Sequence, residues 1–343
     1  MKAEKKKLSD LTLCYCVSAL NYQGRRHFLV ASEKEYACLL FDEQGRQVDK
    51  IWDGPGGTMS AVQIPGSDGT FLATHRFYSP NNCKEAEIVL CWPQDGAWQV
   101  RAMAQLPGVH RFDILTSGGG SYLIACTIKS DYTCKDDWSF PGKVWGCRLP
   151  EDMSALPEDY RLPLTVLKEG LVKNHGYSRH RDCGIVTSEE GVFRFTPPRE
   201  ADGDWGIEQL LDEPTSDVLL LDLDGDGEDE MLTLSPFHGD TLKVFKKAQD
   251  HFVPVFVYGK KIEFAHAICS AEWGGRNFAV IGHRKGDRDL LAVSCRDGSY
   301  TVEVIDHDVG PANALSAQID GKTVILSANR EINEIAYYTV TEV

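Results

Sequence analysis

The chain has 343 residues and carries 51 acidic against 36 basic side chains, a formal net charge of −15. This excess of negative charge argues against non-specific binding to nucleic acid or to an anionic membrane surface, because both need a basic face. Hydrophobic residues make up 42% of the sequence, which is typical of a folded protein and excludes a disordered or fibrous class.

The N-terminal segment and the cysteines indicate the compartment. Residues 1–7 are basic and are not followed by a long apolar stretch, so they do not have the pattern of a signal peptide. No apolar run is long enough to span a membrane. The 11 cysteines lie mainly in strand-like runs without a CxxC pair, as expected of buried, reduced thiols. We therefore expect a cytoplasmic protein with no membrane contact.

Short runs of β-branched, aromatic and leucine residues alternate with Gly, Asp, Asn and Pro along the whole chain, and helical periodicity is almost absent. A unit recurs at roughly 40 to 50 residues, which is the period of a four-stranded propeller blade. Its second strand is the clearest landmark and is predicted at residues 27–32, 70–74, 121–126, 183–187, 230–234, 277–281 and 322–326. First strands are predicted at residues 13–19, 58–64, 110–115, 176–181, 217–223, 266–272 and 313–319.

Seven copies predict an all-β fold, a seven-bladed β-propeller with four-stranded antiparallel blades. We expect one domain over residues 1–343, with blades near residues 11–53, 57–106, 108–169, 174–212, 215–259, 264–306 and 311–343. The seventh copy lacks an outer strand, and the N-terminal segment near Leu8 is the candidate to supply it. The alternative is a β-sandwich or two stacked β domains, which also have closely spaced strands.

An acidic loop between the first two strands of the fifth blade is the most specific short motif. It places acids at positions one, three, five, seven and nine, namely Asp222, Asp224, Asp226, Glu228 and Glu230. With glycines at the turn, such a loop can surround a hard cation with oxygen, so we predict a structural calcium or magnesium site. An EF-hand is disfavoured because both flanks are strands, and a solvated turn without an ion is the alternative.

This spacing resembles the cation loop of FG-GAP or VCBS-type propeller repeats, which also lies between two blade strands. The resemblance is strong in the fifth blade and rests on strand rhythm in the other six, which lack the loop. It therefore implies an architecture more than an activity.

Propeller topology brings the start of each first strand and the loop between the second and third strands to the same mouth of the channel. Histidines, arginines and tyrosines recur at these positions, six of the ten histidines among them. At the blade starts they are His110, Arg111, His175, Tyr177 and His266, and at the loops they are His75, Arg76, Tyr78, His238, His283, Arg284 and Arg330.

These residue types suggest a metal-assisted site. Neutral imidazoles of His110, His175 and His266 can hold a divalent transition metal, which we expect to be zinc, manganese or iron. Around it, arginines can bind carboxylate or hydroxyl oxygens and stabilise an enolate-like charge, and tyrosine or histidine can move a proton. The arginines predicted for this role are Arg76, Arg111, Arg284 and Arg330, and the proton carriers are Tyr78, Tyr177, His75 and His283. The alternative for each residue is a structural or solvated role.

The arrangement resembles carbohydrate-active propellers of the aldos-2-ulose dehydratase type and, more loosely, metal-dependent oligogalacturonate lyases. The resemblance implies β-elimination or isomerisation of a small keto or uronic sugar. No GxSxG, Walker or HExxH motif competes with it. The rival hypothesis is a non-catalytic propeller that binds a ligand or presents its rim to a protein partner. An insertion at residues 130–141, with Tyr132, Trp138 and Phe140, is predicted either to cover the site or to pack on the third blade.

Overall fold

The computed structural model describes residues 1–342, which form seven four-stranded antiparallel sheets, so the predicted propeller is confirmed. The first blade contains β2 to β5, each later blade takes the next four strands, and the seventh combines β26 to β28 with β1. In chain order the strands are β1 (Lys2–Asp10), β2 (Cys14–Tyr22), β3 (Arg25–Ser32), β4 (Cys38–Asp42), β5 (Gln47–Trp52), β6 (Ala61–Gln63), β7 (Phe71–His75), β8 (Glu87–Gln94), β9 (Ala97–Gln105), β10 (Val109–Ser117), β11 (Gly120–Lys129), β12 (Pro141–Arg148), β13 (Thr165–Leu171), β14 (Tyr177–His180), β15 (Cys183–Ser188), β16 (Gly191–Thr196), β17 (Gly206–Leu211), β18 (Asp217–Leu221), β19 (Glu230–Ser235), β20 (Thr241–Ala248), β21 (His251–Val257), β22 (Glu263–Trp273), β23 (Arg276–Lys285), β24 (Leu290–Arg296), β25 (Ser299–Asp306), β26 (Asn313–Ile319), β27 (Lys322–Asn329) and β28 (Glu334–Glu342).

The blades close into a ring around a central channel. Each first strand contacts the first strands of both neighbouring blades, and the series ends where β26 meets β2. Side chains of the second and third strands fill the space between blades, because both faces of these strands are covered. Residues far apart in sequence therefore become neighbours around one axis.

The core lies in layers between adjacent blades. One layer joins the first and seventh blades through Phe28, Phe41, Leu326 and Tyr337, and equivalent apolar layers separate the other blades. The first three blades share the largest cluster, which includes Leu40. The apolar side chains on the two faces of each strand thus pack against the two neighbouring blades.

The ring closes through β1, as predicted for the segment near Leu8. This strand pairs antiparallel with β28 along almost its whole length. Its lysines remain at the surface, where Lys5 forms ion pairs with Asp306 at 2.9 Å and Glu334 at 2.8 Å. Lysine-rich outer strands are typical of sheet edges that must resist pairing with other chains. The basic N-terminal segment is therefore the outermost strand of the seventh blade.

Helical structure is limited to one short turn, Arg330–Ile332, in the described part of the chain. Within residues 1–342, no helix has the length and apolar character needed to cross a bilayer.

Candidate functional site

Three side chains reach the channel axis because each is the extra residue of a β-bulge in a first strand. In β2 the register passes from Cys14 to Cys16 and leaves Tyr15 unpaired. The same interruption leaves His110 unpaired in β10 and His266 unpaired in β22. A bulge turns the side chain of the extra residue away from its regular face. Consequently the Tyr15 hydroxyl lies 3.2 Å from His110 Nε2 and 3.0 Å from His266 Nε2.

Two further imidazoles come from loops. His175 precedes β14, and His238 lies in the turn between β19 and β20. The backbone of His238 is left-handed, with φ of 47°, and so is that of Phe264, with φ of 59°. The His238 ring stacks on Phe237 and Phe264, with centroid distances of 3.9 and 4.1 Å. Held in this way, His238 places its Nε2 3.2 Å from His175 Nε2. Non-glycine residues with positive φ are uncommon and cluster at functional sites.

The outer nitrogens of the buried rings are already engaged. His110 Nδ1 lies 3.1 Å from the carbonyl oxygen of His175, and His266 Nδ1 lies 2.6 Å from that of Ala312. A carbonyl only accepts, so both Nδ1 atoms carry hydrogen. His175 Nδ1 faces an Asp217 carboxylate oxygen at 3.1 Å and donates to it in the same way. In a neutral imidazole, the inward-facing Nε2 then presents a lone pair.

Burial keeps the rings neutral. It lowers the pKa of His110, His238 and His266 well below the usual value, and the neighbouring His175 ring adds to this effect. Burial also raises the pKa of Tyr15 to about 12, so its hydroxyl has one hydrogen for two imidazole acceptors. We call His110, His175, His238 and His266 the histidine cluster. The lone pairs that converge within this cluster outnumber the hydrogens available to them. A bound cation removes that mismatch.

Ring nitrogens of His175, His238 and His266 lie within 4.8 Å of one another. This spacing suits three protein ligands on one zinc, manganese or iron ion, with coordination positions left open. Two members belong to the ligand set predicted from the sequence. The third member of the group is His238, whereas His110 was expected.

The histidine cluster lies in the wall of a cavity of about 260 Å³ at the channel mouth. Tyr78, Phe77 and Phe264 add aromatic surface, and Lys34, Arg284, Arg330 and Glu33 add charge. Lys34 donates to the carbonyl oxygen of Tyr78 and has no carboxylate partner in residues 1–342. In a chain of net charge −15, this mouth cavity is locally basic.

The two rim arginines are paired with carboxylates. Arg330 Nε donates to Glu33 at 2.7 Å and Arg330 Nη1 donates to Glu331 at 2.8 Å. Arg284 Nε donates to the same Glu331 oxygen at 2.9 Å. The prediction that Arg284 and Arg330 surround the site agrees with their position, but a ligand carboxylate must compete with Glu33 and Glu331.

Three predicted residues lie outside the mouth cavity. His75 packs on Trp52, with 4.7 Å between ring centroids. His283 Nδ1 lies 2.9 Å from the Lys285 carbonyl oxygen, and His283 Nε2 accepts from the Asp289 amide. Arg76 is exposed and pairs with Glu87 at 3.1 Å. The strand alternation of β7 and β23 directs these side chains to blade interiors or the surface, so the expectation of six convergent histidines reduces to four.

Arg111 and Tyr177 are also absent from the mouth cavity. They line a second cavity of about 160 Å³ together with Asp217, His266 and Asn313. His266 and Met59 border both cavities, so the two cavities are adjacent. Tyr177 donates to Asp113 at 3.0 Å, whereas Tyr78 remains in the mouth cavity and donates to the Pro55 carbonyl oxygen.

The acidic loop brings Asp222, Asp224 and Asp226 together as predicted, with carboxylate oxygens within 4.8 Å. Lys246 also reaches it, and its Nζ lies 2.5 Å from Asp224, 2.7 Å from Asp226 and 3.2 Å from Glu230. Glu230 is fully buried and accepts from the Leu223 amide, while Glu228 is exposed. A divalent cation here must compete with the Lys246 ammonium.

The insertion at residues 130–141 packs beside the site. Trp138 contacts Phe237 with 5.3 Å between ring centroids, and the buried Lys129 ammonium lies 3.9 Å from the centroid of Trp138. Lys129 Nζ also donates to the Asp137 carbonyl oxygen at 2.6 Å. These contacts hold the insertion against the third blade, and Trp138 supports the phenyl ring on which His238 stacks.

We expect His75 to make the fold sensitive to acid. Burial lowers its pKa to about 4, and Arg76 adds to this effect. Between pH 6.5 and 4 the unfolded chain binds a proton at this site that the folded protein excludes, so stability falls as the pH falls and is constant above the window. The loss is on the order of 3 kcal/mol. Urea unfolding across this range measures it.

The matched variants are His75→Phe, which keeps a ring beside Trp52, and His251→Gln at an exposed position. The first should make the loss of unfolding free energy between pH 6.5 and 4 smaller by on the order of 3 kcal/mol, with the buried His110, His238 and His266 causing the remainder, and the second should leave the loss unchanged. Parallel curves for His75→Phe and the unsubstituted protein would contradict the assignment.

Several site residues were not identified from the sequence. Tyr15 occupies in β2 the bulge position that His110 and His266 occupy in their strands, so alignment of the blade starts would have found it. Asp217 and Lys34 carry no local signal, because their roles depend on neighbours from other blades.

No family model matches the chain, and no curated protein matches it. Among solved structures, the β-propeller domain of Cps50 (Swd1) from Myceliophteria thermophila aligns with a TM-score of 0.62 and 11% identity, over 98% of this chain and 100% of that one. A streptogramin B lyase structure aligns with a TM-score of 0.60 and 11% identity, over 99% of this chain and 98% of that one. At this identity the likeness concerns the fold alone, and the chain has the architecture of a complete seven-bladed propeller.

Proposed function

We propose that this propeller is a metal-dependent lyase or isomerase of small keto or uronic sugars. The observation that carries the proposal is the convergence of imidazole nitrogens from His175, His238 and His266 in the wall of an open, basic cavity. Function resides in such a site and not in the fold, since propellers serve many roles.

The residues present fit a transition metal. Metal-binding histidines usually donate their second ring nitrogen to a carboxylate or a backbone carbonyl, which orients the ring. The Asp217 carboxylate accepts from His175 Nδ1 in this way, and the Ala312 carbonyl oxygen accepts from His266 Nδ1. A bound metal would polarise a carbonyl or carboxylate oxygen of the substrate and lower the cost of removing the adjacent proton.

Tyr15 and His110 are the residues we assign to proton transfer. Neutral His110 presents a lone pair to the Tyr15 hydroxyl, and both line the cavity. In a β-elimination, His110 accepts the proton from the carbon next to the carbonyl and Tyr15 donates to the departing hydroxyl, which leaves as water while the C=C bond forms. Return of the proton from His110 to Tyr15 restores the resting state. In an isomerisation, the proton on His110 exchanges with solvent and His110 then protonates the neighbouring carbon, while Tyr15 moves a proton between the two substrate oxygens.

The size and charge of the mouth cavity restrict the class of substrate that it can bind. A cavity of about 260 Å³ is small for a ligand pocket, which favours a monosaccharide-sized molecule. Lys34 has no carboxylate partner in residues 1–342 and faces this space, so an acidic sugar gains an ion pair that a neutral sugar lacks. A streptogramin B lyase among the similar structures is compatible with elimination chemistry on this fold.

The acidic loop is proposed to have a separate, structural role. Calcium or magnesium bound by Asp222, Asp224 and Asp226 would tie the first two strands of the fifth blade together. Displacement of Lys246 is the cost of that binding.

The decisive experiment combines metal loading with a substrate screen. Protein stripped with a chelator and reloaded with zinc, manganese or iron(II) is tested by thermal shift against keto sugars and uronates, and products are followed by mass spectrometry. Elimination should lower the substrate mass by one water, and isomerisation in D₂O should introduce deuterium next to the carbonyl. Lys34→Gln should weaken uronate binding more than ketose binding, whereas Lys50→Gln, outside the cavity, should change neither.

A protein that retains no metal and that no sugar stabilises would overturn the proposal. That result favours the non-catalytic propeller with a protein partner at its rim.

A further inference from the structure

The second cavity adjoins the mouth cavity, since His266 and Met59 border both. Its wall also includes Cys16 and Arg111, each of which follows a bulged residue in its strand, and Asn313. Its volume is about 160 Å³, smaller than the 260 Å³ of the mouth cavity, which favours a small ligand.

Arg111 differs from the other arginines of the channel. Arg179, Arg284 and Arg330 each pair with a carboxylate, at Asp113, Glu331 and Glu33. Arg111 instead donates to two neutral oxygens, the Met59 carbonyl at 2.8 Å and Asn313 Oδ1 at 3.2 Å. Within residues 1–342 it has no carboxylate partner.

The one carboxylate in the cavity wall, that of Asp217, forms no direct ion pair with Arg111. Asp217 Oδ2 faces His175 Nδ1 and accepts from the Ser216 hydroxyl at 2.8 Å. A guanidinium has five N–H donors, so Arg111 retains three beyond the two hydrogen bonds described. A partly buried charge with only neutral partners is unfavourable unless an ion compensates it.

We propose that the second cavity binds a small anion, a halide or a carboxylate of one or two carbons, through the Arg111 guanidinium. The site is separate from the proposed metal and does not require it, because its ligand is held by Arg111, which is not one of the three candidate metal ligands.

The anion should also affect a cation at the histidine cluster, because His266 borders the second cavity as well as the mouth cavity. Opposite charges at neighbouring sites attract. By linkage, a cation at the histidines and an anion at Arg111 should strengthen each other's binding.

The first test uses thermal unfolding of the metal-free protein, with sodium gluconate exchanged for sodium formate or sodium bromide at constant ionic strength. Gluconate serves as the bulkier reference anion. At a concentration 100 times Kd, formate or bromide should raise Tm by roughly 2 to 5 °C. Arg111→Gln should abolish the rise. Arg101→Gln should retain it, because Arg101 also donates to two backbone carbonyls but lies outside the channel.

The second test does not depend on the stability of a variant. Crystals of the unsubstituted protein soaked in bromide should show an anomalous peak in contact with the Arg111 guanidinium. Bromide at surface lysines alone would mean an adventitious ion only and would overturn the proposal. An equal rise in Tm for Arg111→Gln and Arg101→Gln would overturn it as well.

Discussion

Joint replacement of His175 and His266 by glutamine should abolish binding of a transition metal. The two substitutions remove two of the three imidazoles whose nitrogens lie within 4.8 Å of one another and leave His238 as a single ligand. We expect the affinity to fall by more than about 100-fold, because loss of an outer-shell partner alone costs 10- to 100-fold. Elemental analysis after dialysis and competition titration with a chromophoric chelator measure this change.

A milder variant tests the same arrangement. Asp217→Asn keeps the shape of the side chain but removes the charge that faces His175 Nδ1, so metal affinity should fall by about 10- to 100-fold. His27→Gln is the matched control for the histidine variants, because His27 lies outside both cavities and forms its hydrogen bond with the nearby Arg25 carbonyl oxygen.

Wild-type metal content in the His175→Gln, His266→Gln double variant would exclude this site.

Removal of residues 1–10 should cost the protein its cooperative fold or lower Tm by at least about 10 °C. The deletion strips β28 of its outer neighbour and removes the Leu8 side chain from the layer that contains Tyr337. It also breaks the ion pairs of Lys5 with Asp306 and Glu334. The backbone pairing matters most, since exposed ion pairs contribute about 1 kcal/mol or less.

Two controls separate pairing from charge. Lys5→Met retains β1 and should lower Tm by only a few degrees. A synthetic peptide of residues 1–10 added to the truncated chain should restore part of the lost Tm by occupying the open edge. Identical melting of the truncated and full chains would show that β1 does not close the ring.

The blade architecture was predictable because strand rhythm is a local property. The first strand of the seventh blade was predicted to the residue, at 313–319, and the closing role of the segment near Leu8 was inferred from the missing outer strand. Burial between blades imposes the same apolar pattern on every copy, and a single sequence displays it seven times.

The side-chain directions were not predictable in the same way. A shift of one residue moves a strand side chain to the other face, and the bulges at His110 and His266 introduce such shifts without a recognisable sequence signal. The adjacent residue Arg111 therefore enters a different cavity from His110. His238 reaches the histidine cluster through a left-handed backbone, which strand periodicity does not reveal.

Long-range partners explain the remaining differences. Lys246 enters the acidic loop from the third strand of the blade, and the position of Glu33 beside Arg330 follows from closure of the ring. Neither contact has a local motif. Residue type and spacing thus suggest candidate residues for both sites, whereas the neighbours of each residue follow only from the fold.

The pairing of β1 with β28 has a consequence for biosynthesis. The ribosome makes β1 before the other strands, yet its partner emerges only after almost all of the 343 residues have been translated. At 5 to 20 residues per second, this delay is roughly 17 to 70 s. The lysines of β1 keep the waiting segment hydrated and disfavour its association with neighbouring nascent chains. Completion of the circle therefore waits until the last blade has been made.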